Sequence, residues 1–175
     1  MIKERLEDYV TTIPDFPEPG IMFRDITTIL EDEDGFKMAI DKMAEVVKDL
    51  DFEVIVGAES RGFIFGSALA YNLHKPLVLA RKKGKLPRET VSQSYELEYG
   101  EATIEMHKDS IKPGQKVLLV DDLIATGGTL FATAKLVEKL GGEVVGIACI
   151  MELSGLEARS KCKYPLYTVI QYEGK

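Results

Sequence analysis

Short runs of apolar, largely β-branched residues punctuate the chain at residues 53–57, 76–80, 117–120, 144–153 and 166–170. None alternates apolar with polar positions, the pattern of a strand covered on both faces. Between them the apolar positions recur every three or four residues. Residues 35–50 place Phe36, Ile40, Met43, Val47 and Leu50 on one side, residues 63–73 repeat the pattern, and residues 129–140 do so with Leu130, Ala134, Val137 and Leu140. Each stretch predicts a helix. Strands and helices in alternation predict an α/β fold, a mostly parallel, doubly wound sheet flanked by helices on both faces. Residues 2–10 predict a short amphipathic helix on Ile2, Leu6, Tyr9 and Val10, whereas Pro14, Pro17 and Pro19 exclude helix from residues 13–20. The apolar trio Ile21, Met22 and Phe23 that follows reads first as a core anchor. Strict alternation appears once, with Tyr95, Leu97 and Tyr99 opposite Glu96 and Glu98, then Gly100 and a second run through Ile104 and Met106, which predicts a hairpin.

The chain is organised around residues 117–129, VLLVDDLIATGGT. A buried strand is expected to end there in Asp121 and Asp122, at the carboxyl edge of the sheet where ligands of open α/β folds bind. Ala125, Thr126, Gly127, Gly128 and Thr129 then lead into a helix. Backbone N–H groups and the helix dipole converge on such a turn and make an anion site. The sequence is neither a Walker A loop nor a dinucleotide G-x-G-x-x-G. The glycines let the backbone close on a phosphate, Thr126 and Thr129 add hydroxyl donors, and the two carboxylates accept from vicinal hydroxyls. A phosphate beside a diol suggests a ribose 5-phosphate. The plainer alternative is a solvated or helix-capping acid pair beside an ordinary turn.

Residues 53–57 and the polar loop after them repeat the strand, loop, helix arrangement at the same edge. Ser60 and Arg61 lie in that loop, and Arg61 is a candidate pyrophosphate ligand, the alternative being a partner for a surface acid. His74, at the end of the following helix, reads as a dipole partner. Residues 81–88, RKKGKLPR, carry five bases in eight positions. In an acidic protein they read as a mobile loop able to fold onto a polyphosphate and neutralise it, with Arg81 and Lys85 as pyrophosphate ligands.

These stretches together resemble a known family. VLLVDDLIATGGT is similar to the 5-phosphoribosyl 1-pyrophosphate motif of the type I phosphoribosyltransferases, and FPEPGIMFRDIT, ESRGFIFG and RKKGKLPRETVSQSYELEYG resemble its adenine branch in the same order. The likeness runs from Phe16 to Tyr172. It implies one domain over residues 1–175, with an N-terminal hood at residues 1–34 and a flexible lid and hairpin at residues 81–106. It implies transfer of the phosphoribosyl group to adenine, giving AMP and pyrophosphate. It assigns a pyrophosphate loop to residues 59–62 and base recognition to the backbone of Met22 and Arg24, with Phe23 on the purine face. A peptide C=O and N–H side by side match adenine, while a 6-oxopurine presents the reverse pattern. The family's YxLEYG motif falls on Tyr95–Gly100, which makes Glu98 the candidate proton acceptor and places Tyr99 in the lid. In 6-oxopurine transferases an Asp of the phosphate loop is the base, and that position here holds Ala125. Mg²⁺ is expected to be held mainly by the substrate's pyrophosphate and hydroxyls, and a homodimer is expected from the family alone. The alternatives are a transferase for xanthine or guanine, disfavoured by Ala125 and the hood, and a non-catalytic sensor of the sugar pyrophosphate. The sensor would need a DNA-binding module, and only a short segment precedes the first proline.

Composition narrows the setting. At 175 residues the chain is expected to be one domain burying about 70% of its unfolded surface. With 22 basic and 29 acidic residues its net charge is −7, against a general nucleic-acid or membrane surface. No apolar run approaches ~20 residues, and MIKERLEDYV carries charges where a signal peptide has an apolar region, so a cytoplasmic protein is expected. Cys149 and Cys162 fit a reducing compartment, and neither has a second Cys or a His at metal-ligand spacing.

Overall fold

A computed structural model describes residues 2–97 and 99–174. Nine strands are described: β1 (Thr11–Pro14), β2 (Met22–Asp25), β3 (Val54–Ala58), β4 (Leu77–Lys82), β5 (Thr90–Glu96), β6 (Glu101–His107), β7 (Lys116–Ile124), β8 (Glu143–Leu153) and β9 (Leu166–Tyr172). The helices are α1 (Thr27–Leu30), α2 (Glu33–Val46), α3 (Arg61–Leu73), α4 (Gly128–Lys139) and α5 (Ala158–Lys161). Seven strands form one sheet in the order β5-β6-β4-β3-β7-β8-β9. The five from β4 to β9 are parallel, and β5 and β6 continue the sheet antiparallel beyond β4.

The central strands are buried on both faces because their side chains alternate between two cores. Val54, Val56, Val117 and Leu119 join α4 residues such as Leu130, Leu136 and Val137 on one side. Ile55, Leu118 and Val120 meet Met43, Phe65 and Leu69, from α2 and α3, on the other. Each fully buried Leu, Ile or Phe adds roughly 1.5–3 kcal/mol, so this double layer holds β7 at the centre of the molecule.

The helices start in two ways. Asp32 caps α2 by accepting from the amides of Asp34 and Gly35, both at 2.9 Å. By contrast, α3 starts after Ser60 and α4 after Gly127 with no side-chain cap. Their first amides are left for another partner. α3 closes at His74, in the left-handed region at φ 54°.

Several expectations need correction. Residues 2–10 make only a one-turn 3₁₀ helix at Leu6–Tyr9, and Ile2 is exposed. Three prolines leave room for strands, for β1 and β2 pair antiparallel as a separate two-stranded sheet. There Met22 is exposed and Phe23 half-buried, so this trio is no core anchor. β7 does not end at the carboxylates. Asp121 pairs with Cys149, Leu123 with Met151 and Ile124 with Glu152, because the parallel ladder to the eleven-residue β8 satisfies the backbone there whatever the side chains carry. The basic stretch is not all loop, since Arg81 and Lys82 belong to β4 and pair with Glu105 and Ile104 of β6.

The hairpin edge of the sheet is occupied locally. Lys139 Nζ, reaching from α4, donates to the carbonyl of Ser92 at 2.8 Å, and Gln93 Nε2 donates to that of Ser94 at 3.0 Å.

Candidate functional site

At the carboxyl edge of the sheet, β7 delivers Asp121 and Asp122 between the starts of α3 and α4. Gly62, in the first turn of α3, makes this approach possible. A Cβ there would lie 2.8 Å from Asp121 Oδ1 and 3.1 Å from the Val120 carbonyl. Gly127 adopts φ 89°, and a Cβ on it would meet the Phe131 ring at 2.5 Å, so the turn is shaped by glycine and backed by that ring.

Two adjoining cavities open here. The larger, about 650 Å³, runs from Asp121 along Ala125, Thr126, Gly127, Gly128 and Thr129 to Tyr95 of β5. The smaller, about 350 Å³, is lined by Glu59, Ser60, Arg61, Asp121, Asp122 and Thr129. Asp121, Leu123 and Thr129 belong to both, so the cavities meet over β7. An uncapped helix start faces each, α4 the larger and α3 the smaller. A helix start with unpaired amides favours an anion through its hydrogen bonds and its dipole.

The charges between them are held in tension. Arg61 Nε lies 2.6 Å from Asp122 Oδ2. That oxygen is buried and makes no aligned hydrogen bond, so the contact is an ion pair of poor direction. Asp121 Oδ1 accepts from the Asp122 amide at 2.8 Å. Burial and the neighbouring charge of Asp122 push Asp121 well above the usual carboxylate range, and Arg61 opposes them only in part. Two acids facing one guanidinium make an electron-rich wall that a cationic centre or a ligand's hydroxyl donors would relieve.

Arg81 donates to Glu59 Oε1 at 3.2 Å, and Glu59 Oε2 also accepts from the Lys82 amide at 2.5 Å. Burial alone would raise Glu59, but these bonds and the charges of Arg81 and Lys82 hold it below the usual range. Arg81 therefore buttresses the 59–62 loop, whose Glu59–Ser60 peptide is cis, rather than reaching into the cavity. Lys85 is exposed, and its carbonyl lies 3.5 Å from Arg81 Nη1. Next to the larger cavity, Glu152 pairs with Ile124 in the β7–β8 ladder. It accepts from Arg159 Nε at 3.1 Å and Nη2 at 2.7 Å, and from Thr168 Oγ1 at 2.9 Å.

The residues that the family resemblance assigns to base recognition stand apart. Met22, Phe23 and Arg24 line neither cavity. Phe23 packs edge-on against Phe16 with ring centroids 5.2 Å apart. Arg24 lies 4.3 Å over the Tyr172 ring, which ties the hood to β9, and donates to Thr12 within the two-stranded sheet at 2.5 Å. Tyr99 lies in the hairpin turn, 88% exposed, and Glu98 lies outside the described residues. Sequence reasoning missed two contributors. Glu59 anchors the basic strand, and Tyr95 lines the larger cavity, where its hydroxyl accepts from Thr129 Oγ1 at 3.0 Å. Alternation puts Tyr95 on the hairpin's aromatic face, but no local signal says that this face meets residues 125–129.

Among the described residues, no group of three or more His, Cys, Asp or Glu side chains converges to hold a metal ion. The donors present, two adjacent carboxylates, are hard oxygens that suit Mg²⁺ held chiefly by a bound polyphosphate. Among the described residues, no helix is long and apolar enough to cross a membrane.

Comparison with known proteins gives a consistent picture. The family model described as the phosphoribosyl transferase domain matches residues 26–173. The chain is 63% identical over 172 residues to the adenine phosphoribosyltransferase of Butyrivibrio fibrisolvens, covering 98% of this chain and 96% of that one. Its fold superposes on the crystal structure of adenine phosphoribosyltransferase from Thermoanaerobacter pseudethanolicus with a TM-score of 0.91 at 46% identity, over 95% of this chain and 98% of the other. The Saccharomyces cerevisiae adenine phosphoribosyltransferase, solved with an imino-altritol bisphosphate and adenine, matches with a TM-score of 0.88 at 39% identity, over 94% and 96% of the two chains.

Proposed function

We propose, from the premise that this chain belongs to the phosphoribosyltransferase family, that it transfers the phosphoribosyl group of 5-phosphoribosyl 1-pyrophosphate to adenine, releasing AMP and pyrophosphate. The observation that carries this reading is the pair of uncapped helix starts on either side of Asp121 and Asp122. A sugar phosphorylated at both ends fits them, with its 5-phosphate at the start of α4, its pyrophosphate at the start of α3, and its ribose over the two carboxylates. Adenine is the base named for the relatives, and the FPEPGIMFRD hood with Ala125 supports it here.

In this arrangement the bond from the anomeric carbon to pyrophosphate breaks as the bond to the purine nitrogen forms. Positive charge develops on the ribose ring in between. Asp121 and Asp122 face that charge and accept from the ribose hydroxyls, so the repulsion between them turns into attraction for the transition state. The pyrophosphate departs with the bonding electrons toward Ser60, Arg61 and the basic segment that carries Arg81 at the end of β4 and Lys85 in the turn after it. Mg²⁺ bound to the pyrophosphate would add neutralising charge on that side. Glu98 accepts the purine proton. The backbone of Met22 and Arg24 reads the edge of the base, Phe23 covers its face, and Tyr99 closes over it. We take the enzyme to act in the cytoplasm, where the unpaired Cys149 and Cys162 stay reduced, and as a homodimer, the assembly implied by the family resemblance. Neither nucleic acid nor a membrane is a partner in this reading, which rests on the net charge of −7.

The test is product formation with 5-phosphoribosyl 1-pyrophosphate and Mg²⁺, offering adenine, hypoxanthine, guanine and xanthine separately. AMP from adenine alone is expected. Turnover of an oxopurine would overturn the base assignment, and binding of the sugar pyrophosphate without turnover of any base would overturn the reaction.

A further inference from the structure

We propose that the hydroxyl of Tyr95, on the hairpin strand β5, completes the phosphate cradle at the start of α4 by donating a hydrogen bond to the 5-phosphate. The inference deepens the proposed function and rests on its placement of a sugar phosphate in the larger cavity. Tyr95 comes from an element far along the sheet, yet it lines the cavity together with residues 125–129. Its ring lies over the phosphate loop so closely that a Cβ on Gly128 would sit 3.3 Å from Tyr95 Cδ2. The ring is packed against the core that also holds α4, which fixes its direction. Its oxygen accepts from Thr129 Oγ1 at 3.0 Å, so the phenol's own proton is not spent on that bond. A phenol that accepts from one loop hydroxyl and keeps a free O–H beside unpaired helix amides is arranged to donate to an anion there. Thr129 in turn is oriented from the far side, since its carbonyl accepts from the buried Thr133 hydroxyl at 2.7 Å.

The consequence is that the hairpin senses the sugar's phosphate. β5 ends at Glu96, two residues before position 98, so a bond from Tyr95 to the phosphate ties the strand leading to the proton acceptor to an occupied sugar site.

The closing experiment uses Tyr95→Phe, which keeps the ring over Gly128 and removes only the hydroxyl, in the full chain. Calorimetry with ribose 5-phosphate should show affinity weakened roughly 10-fold or more, the usual weight of a hydrogen bond to a charged group. The KM for 5-phosphoribosyl 1-pyrophosphate should rise in parallel, while the KM for adenine stays unchanged. Unaltered ribose 5-phosphate affinity in a folded variant would overturn the proposal, and so would an equal loss for ribose, which has no phosphate. A measurement on the unaltered protein guards against a variant that fails to fold. The near-ultraviolet tyrosine band should shift on adding ribose 5-phosphate and not on adding ribose, and its silence would count against the proposal. Failure of adenine turnover in the unaltered enzyme would sink the proposed function while leaving the ribose 5-phosphate result to stand or fall by itself.

Discussion

The two ends of the site are built to different standards. The end proposed to hold the sugar phosphate hangs on β7, wedged between two cores, with its carboxylates fixed by the β8 ladder and its glycines pressed against Asp121 and Phe131. The end proposed to hold the base is a separate two-stranded sheet tied down by Arg24 over Tyr172 and by the hydrogen bond from the Thr11 amide to Thr28, with Met22 exposed and Phe23 half-buried. The difference separates two tasks. In the proposed function the part that faces the developing charge is sunk in the scaffold, where neighbours fix each rotamer. In that proposal the part that selects among flat bases sits on a light module and reads the base through backbone groups.

Five changes would break or sharpen this contrast. Removing Glu98, the proposed proton acceptor, should have the largest effect. Glu98→Gln is expected to lower kcat by roughly 10²-fold while ribose 5-phosphate binding stays intact, and steady-state kinetics with calorimetry would check it. Next, Gly62→Ala pushes a methyl group against Asp121 and the Val120 carbonyl, in the part of the site with least room to move. A stability loss of about 1–3 kcal/mol in denaturant titration is expected, together with weaker binding of the sugar pyrophosphate. Phe23→Ala should raise the KM for adenine about 10-fold through lost stacking and leave that for the sugar pyrophosphate unchanged. An equal rise in both would mean that the two ends are not independent.

A smaller effect is expected in acid. Burial alone would raise Glu152, but hydrogen bonds from Arg159 and Thr168 and the charge of Arg159 bring it below the usual range. A carboxylate lowered in the folded state contributes stability that is present above its unfolded pKa, about 4.3, and is lost as pH falls through the folded value. Glu152→Gln should therefore lower the thermal midpoint at neutral pH and flatten its fall below about pH 5. The smallest effect belongs to Met22→Leu. If the base is read by the backbone at this position, the KM for adenine should change by less than about 3-fold, as for an ordinary surface exchange.

The sequence announced the strand, turn and helix around Asp121 and Thr129 well because their signals are local. A buried strand, paired acids, Thr-Gly-Gly-Thr and a helical repeat follow one another without interruption, and residues 53–73 repeat the order. What it concealed is decided by partners distant in the chain. β7 runs on through Asp122 to Ile124 because β8 lies beside it, which no pattern of its own side chains records. Arg81 looked like a loop cation and is instead a strand residue committed to Glu59, twenty-two positions earlier. Tyr95 looked like one ring of a hairpin face, and only the antiparallel addition of β5 and β6 beyond β4 carries it to Thr129. The hood was legible as a resemblance rather than as physics, since three prolines said what the segment is not and left its β1–β2 pairing unstated.

The side chains laid along β5 also govern behaviour at high concentration. An outermost strand with bare carbonyls is a template for recruiting strands from other molecules, the first step toward fibrous aggregates. Here the Lys139 ammonium and the Gln93 amide occupy the carbonyls of Ser92 and Ser94. Each such group removes an attachment point and, at Lys139, adds a charge that an incoming strand would have to bury. The hairpin can thus extend the sheet toward residues 125–129 without offering its rim for intermolecular growth.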